Sequence, residues 1–303
     1  MKHWFKFLLV LALVISGLSF STTSYAAGDK EEESINEKFG LPIVVLGGTL
    51  NDDQKQEVRE MLKVNDPDMV EEITVTGEDL VKYIDGEDRN ARMFSSAKIT
   101  RKEKGEGLNI SRATPENITQ VTDDMYANAL LTAGIEDAEV IVASPVKVSG
   151  HSALVGIYKA YEVSGEELNK DRMEVANEEL SIATKLAEEE GLDSEKVSEL
   201  LTEIKKQIAE QNPATREEVE QIVEEQLSKL QIELSEEDRQ LLIDLFEKMR
   251  ELNINFDSVK KQLEDISTDI KNRIEEVVGN EGFWQSVADF FRNLFQSIAN
   301  LFK

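Results

Sequence analysis

The chain reads as α+β: a mixed sheet with helices packed on it, followed by an all-α region. Three observations carry that reading. Short apolar runs of strand length alternate with helical segments up to residue 162. From Glu166 onward strand signals vanish and only helical periodicity remains. Between the two regimes, Asp137 to Glu162 reads as a buried strand (Ala138 to Ala143), a turn closed by Pro145 and Gly150, and a helix opening at Ser149–Gly150.

The first 26 residues are set aside before any fold reasoning. Lys2, His3 and Lys6 make a basic start, Phe7 to Phe20 an apolar stretch, and Ser24-Tyr25-Ala26 a small-residue cleavage site, the pattern of a signal peptide cut after Ala26. The expected destination is the extracellular space or the outer face of the cell envelope, with an uncleaved anchor as the alternative. The apolar stretch is short for a membrane span, and no cysteine follows it to carry a lipid. No later stretch approaches the ~18 apolar residues of a transmembrane helix.

Charge and composition exclude several chemistries. The formal net charge is −27, and removal of the leader's two lysines takes it to −29. Such an excess argues against nucleic acid as a partner, since neutralising phosphates takes Lys and Arg. It also disfavours attraction to anionic lipid. A solvated acidic surface is the ordinary reading, with diffuse binding of divalent cations as the second. The chain has no cysteine, so neither disulfides nor thiol catalysis enter. Of two histidines only His151 lies beyond the leader, so clustered zinc, copper or haem ligation is not expected. No cofactor is implied.

In order, Gly28 to Lys38 is a polar lead-in, with the α+β region assigned to 40–165 and 27–39 left as the lead. Pro42-Ile-Val-Val-Leu46 is a strand closed by Gly47-Gly48. Asn51 and Gln54 form a capping box for a helix with Val58, Met61 and Leu62 on one face. Glu72-Ile-Thr-Val-Thr76 is the second strand, and Thr76 to Asp79 caps a short helix carrying Leu80, Val81 and Ile84. Met93 to Arg101 and Gly107 to Ala113 read as a hairpin, its turn glycines supplied by Glu103 to Gly107. Thr114-Pro115 is expected to open a helix through Ile118, Val121, Met125 and Ala129, capped by Gly134. After the central strand and helix, a helical region (166–280) holds helices at about 167–189, 194–210, 215–230, 235–250 and 257–278, with Thr215 and Ser235 as caps. No internal repeat stands out.

The last stretch (281–303) differs from everything before it. Phe283, Trp284, Val287, Phe290, Phe291, Leu294, Phe295, Ile298, Leu301 and Phe302 build one aromatic face, opposite Gln285, Asp289, Asn293, Gln296 and Asn300. Asp289, Arg292 and Asn293 rule out a membrane span. Three fates would cover the apolar face: docking on the protein's own helices, lying in a membrane interface, or packing against a second copy or a partner.

By the central stretch, a family resemblance has specific carriers. They are Leu46-Gly-Gly-Thr-Leu50 with Gln54, Phe94-Ser-Ser-Ala97, Gly105-x-Gly-Leu-Asn-Ile110, Asn117-Ile-Thr119, Met125-Tyr-Ala-Asn-Ala129, Thr132-Ala-Gly134, Pro145 to Tyr161, and Val175-Ala-Asn-Glu-Glu-Leu180. Residues ~40 to 185 resemble the YpuA-like family of exported bacterial proteins, catalogued as a domain of unknown function. The resemblance implies export and the domain boundary; it transfers no activity and no site residue.

Four local patterns invite chemistry. Gly150-His-Ser-Ala-Leu154 resembles a G-x-S-x-G nucleophile elbow between strand and helix, but Leu154 replaces the last glycine. Its only histidine, His151, is the neighbour of Ser152, and a triad needs a base folded in from elsewhere. The structural reading makes Ser149 an N-cap, Gly150 a steric necessity, and Ala153 and Gly156 close-packing positions. Gly47-Gly48 lacks the rest of a phosphate loop and reads as a turn. Asp85 to Asn90 has oxygen ligands but no closing glutamate, so it reads as a polar turn rather than a calcium loop. No carboxylate pair stands out for glycoside hydrolysis, and aromatics for sugar stacking are scarce. The expectation is an exported, non-enzymatic protein acting through Phe283 to Phe302, by peripheral membrane contact or self-association. The alternative is a secreted hydrolase using Ser152 or an unidentified carboxylate pair.

Overall fold

A computed structural model describes residues 37–188 and 191–278, and these belong to one compact unit. The fold is α+β, as the alternation of strand and helix signals predicts. Five strands form one sheet: β1 (Ile43–Gly47), β2 (Glu71–Val75), β3 (Ser96–Arg101), β4 (Leu108–Arg112) and β5 (Ala138–Ala143), in the spatial order β2-β1-β3-β5-β4. The outer pairs β1–β2 and β4–β5 are parallel, and β3 runs antiparallel to both β1 and β5.

The period of two along each strand divides the sheet into two faces. Val44, Leu46, Ile141 and Ala143 point to the side covered by α1 (Asp52–Met61), where they meet Val58 and Leu62. Ile43, Val45, Val140 and Val142 point the other way into the main core. There α3 (Asp123–Ala133) and α4 (Ser152–Val163) pack on the sheet, and α2 (Gly77–Tyr83) packs against α4. Five further helices follow: α5 (Lys170–Glu188), α6 (Ser194–Gln211), α7 (Arg216–Lys229), α8 (Glu236–Glu251) and α9 (Lys260–Val278). α5 and α6 lie against α3, so one apolar core runs from the sheet into the bundle.

The predicted caps at Asn51, Thr76, Gly134, Thr215 and Ser235 hold. Asn51 accepts from the Gln54 N–H and Gln54 reaches back to the Asn51 N–H. Thr76 and Asp79 make the second capping box, Thr215 and Ser235 cap α7 and α8, and Gly134 ends α3 at φ +94°.

Three local expectations are corrected. The two strands predicted as a hairpin exist, but they are not neighbours: β5 lies between them, paired Ser96↔Ala143 with β3 and Leu108↔Ala138 with β4. β5 carries apolar groups toward both faces and is satisfied only in the interior, whereas β4 alternates between half-buried and exposed and suits an edge. The Asp137 carboxylate, at the entrance of β5, accepts from the N–H groups of Gly105 and Gly107 at 2.8 Å each. That ties the turn after β3 to β5. The helix expected from Thr114-Pro115 starts only at Thr122, whose hydroxyl accepts from the Met125 N–H. The backbone of Asn117 and Thr119 is bonded to Val148 instead, which withdraws those groups from a helix. Finally, α4 begins at Ser152 with His151 in the cap position and no side-chain cap; the Ser149 carbonyl accepts from Val121, so Ser149 serves the loop rather than the helix.

Candidate functional site

The entrance of α4 is fixed by contact rather than by a cap. Tyr126, fully buried on α3, donates its hydroxyl to the Gly150 carbonyl at 2.6 Å. Gly150 has φ +112°, and a Cβ there would lie 2.7 Å from both Ile118 Cγ2 and Tyr126 Oη. Only glycine fits such a site. Further along, Gly156 lets α4 approach Val45 of β1, since an added Cβ would stand 3.2 Å from its Cγ1. The expectation that these positions are steric necessities holds.

This placement leaves His151 and Ser152 on the wall of a cleft of about 490 Å³. The segment before β3 contributes Glu87, Ala91, Arg92 and Met93, and α5 contributes Asn177 and Ser181. Leu80, Val148 and Ser149 complete the lining. His151 is half-buried, and its Nε2 lies 3.3 Å from Thr184 Oγ1. The Thr184 hydroxyl also faces the carbonyls of Leu180 and Ser181 at 3.1 and 3.0 Å, where its proton belongs. The imidazole therefore donates from Nε2 and keeps a lone pair on Nδ1. Burial lowers the His151 pKa, and the carboxylate of Glu188 opposes that shift. The ring is a neutral imidazole near neutral pH.

Ser152 and His151 are not joined by a hydrogen bond; the imidazole Nε2 meets Thr184 on α5, and Nδ1 has no protein partner among the described residues. The nucleophile–base contact on which acyl transfer by serine depends is not made here. The other sequence patterns resolve as turns. Gly48 donates to the Val75 carbonyl, and a Cβ on Gly47 would sit 2.4 Å from the Met93 carbonyl oxygen. Asp85 pairs with Lys170, and Asp88 accepts from the Asn90 backbone. Among the described residues no group of His, Asp and Glu is arranged to hold a metal ion, and no helix is long and apolar enough to cross a membrane. The leader and the whole set Phe283 to Phe302 lie outside the described residues.

Two buried polar clusters were not singled out in the sequence. Lys205 on α6 and Glu179 on α5 are both buried and pair at 2.5 Å. Lys205 also donates to the Asn128 carbonyl, and Thr132 donates to Glu179, both on α3. In the second cluster Glu203 of α6 is 2 % exposed and accepts from Ser267 and Lys271 of α9 and from Lys206. Burial pushes the Glu203 pKa up, but those donors outweigh it and hold the carboxyl at about 2. A signal was present: Glu179 and Lys205 fall on positions that the 3.6 period gives to the core, between Ala176 and Ala183 and between Leu201 and Ile208.

The fold and its cleft define an α+β protein whose strand-to-helix joint is held by the Gly150–Tyr126 contact. The family described as "Protein of unknown function (DUF1002)" matches residues 46–266, and the chain belongs to it. It is 35 % identical over 308 residues, covering all of this chain and 99 % of the relative, to the protein named "Uncharacterized protein YpuA" of Bacillus subtilis (strain 168). No solved structure matches the chain.

Proposed function

We propose that the chain is an exported, non-enzymatic protein of the extracellular space or the outer face of the cell envelope, acting through the apolar face of Phe283 to Phe302. The observation that carries this reading is the segment's composition: ten large apolar side chains on one helical face, opposite a polar and barely charged one. Left in water, that face would forgo roughly 10–20 kcal/mol as an upper bound, at about 1.5–3 kcal/mol per side chain. The leader pattern of residues 1–26 supports export. The body supports the division of labour, since Met69 and Val163 are its exposed large apolar side chains among the described residues.

The chain from residue 27 onward should co-sediment with phosphatidylcholine vesicles, and removal of residues 281–303 should abolish sedimentation while leaving far-UV circular dichroism otherwise native. Self-association through the same face is the other form of this reading, and light scattering would show it as a mass that drops on truncation. A monomer that ignores vesicles and unfolds on truncation would overturn both forms. A hydrolase centred on Ser152 is the second reading, favoured by one observation: its hydroxyl makes no hydrogen bond on the cleft wall. Ser152→Ala would abolish a hydrolytic activity found by substrate screening if that reading holds.

A further inference from the structure

The cleft beside His151 gathers polar side chains that the rest of the molecule leaves unused. Most other arginines are taken up by carboxylates: Arg59 by Glu72, Arg112 by Asp123, Arg216 by Asp244, Arg250 by Glu247, Arg273 by Asp124 and Glu195. Arg172 is held by the Thr132 and Leu131 carbonyls, and exposed Arg89 lies outside the cleft. With 61 acids against 34 bases, an arginine in this chain seldom lacks a partner. Arg92 lines the cleft and makes no ion pair or hydrogen bond among the described residues, although Glu87 shares the same cleft. The side chains of Ser149, Ser152 and Asn177 likewise line it without a hydrogen bond. His151 adds a ring nitrogen with no protein partner, its other nitrogen being held by Thr184. These groups come from three places in the fold: the segment before β3, the entrance of α4 and the middle of α5. They are held around one space by the Gly150–Tyr126 contact.

We propose that this cleft binds a small solute bearing an oxyanion, a carboxylate or a phosphate ester, with the Arg92 guanidinium as the charged anchor and Ser149, Ser152 and Asn177 as hydrogen-bond donors. A planar guanidinium matches a carboxylate or phosphate edge with two parallel hydrogen bonds, and neutral donors complete the shell. Glu87, on the same wall, would accept a hydroxyl or amino group of the solute. Imidazole protonation favours the bound state, so the anion and the proton on His151 reinforce one another. The charged groups around that ring are Glu188 on α5 and Glu87 and Arg92 before β3. The site does not use residues 281–303, so it stands apart from the reading above.

His151 is the one histidine beyond His3, so in the chain from residue 27 onward its imidazole gives a single resonance to follow by NMR. We expect its signal to saturate with inorganic phosphate or succinate, and its pKa to rise, relative to sodium chloride at equal ionic strength. Arg92→Gln should raise the half-saturating concentration roughly tenfold or more, the loss of one charge-assisted contact. Arg89→Gln, an exposed arginine outside the cleft, should leave it unchanged, and removal of residues 281–303 should too. An imidazole that titrates identically in all three salts would overturn the proposal. So would equal weakening by Arg92→Gln and Arg89→Gln, which would mark a diffuse field rather than a site.

Discussion

Gly150 has no latitude, because two independent constraints meet on one residue. Its φ of +112° disfavours any side chain, and the space a Cβ would take is filled by Ile118 and Tyr126. Gly150→Ala should destabilise the fold by roughly 2–4 kcal/mol, combining backbone strain with overpacking, as read from urea denaturation. His151, its neighbour, makes a different prediction. Burial sets its folded pKa below the unfolded value, so below about pH 6.5 the unfolded chain binds more protons. The contribution of His151 to stability is complete above that pH and is lost as pH falls toward the folded pKa. His151→Gln should flatten this part of the stability–pH curve, leaving the carboxylate-driven loss at lower pH. The sequence made both residues visible, one as a glycine at a strand-to-helix turn and one as a solitary histidine. It did not show that Thr184, 33 positions away, would hold the imidazole. Nor did it single out Arg92, whose freedom from partners is a property of the folded surface.

Elements were legible where local chemistry decides and illegible where distant strands compete. The capping boxes at Asn51 and Thr76 follow from four residues each, and both form. The order of β3, β5 and β4 depends on which strand can bury two faces, a comparison across some 45 residues that the turn glycines alone do not make. Between α6 and α9 a long-range polar contact likewise matters more than helix propensity. Glu203 is buried among Lys271, Ser267 and Lys206, with its carboxyl held at about 2 against an ordinary value of 4.5. The charged form is thus favoured by the fold, and the stabilisation is present above the unfolded pKa and lost as pH falls toward 2. Its size is about 3 kcal/mol from the linkage of pKa to stability. Glu203→Gln should cost about 2–3 kcal/mol near pH 7, and the difference from the wild type should shrink steadily below pH 4.5. Urea melts across that range measure it.

At the scale of the molecule, the sheet layer and the helices beyond it share a core, and a buried ion pair lies on the seam. Lys205 and Glu179 bridge α6 and α5, and both reach back to α3, which packs on the sheet. Burial pulls the Lys205 pKa down, with Glu179 opposing it. Two charges withdrawn from water contribute little net stability, but removing one strands the other. Lys205→Met should therefore destabilise by roughly 3–5 kcal/mol, whereas Lys205→Met combined with Glu179→Leu should return most of that loss. The pair's position makes a second demand on the same experiment. Tyr83, Tyr126, Tyr158 and Tyr161 all lie on α2, α3 and α4, so tyrosine fluorescence, read in a Trp284→Phe background, reports the sheet layer. Far-UV circular dichroism weights the longer helices α5 to α9. If α3 is locked to the bundle through this pair, the two signals should give one coincident urea transition in the wild type. They should separate in Lys205→Met, with the bundle melting first, and coincide again in the double variant. Separate transitions already in the wild type would show that the helices fold on their own account and that the buried pair is not what joins them.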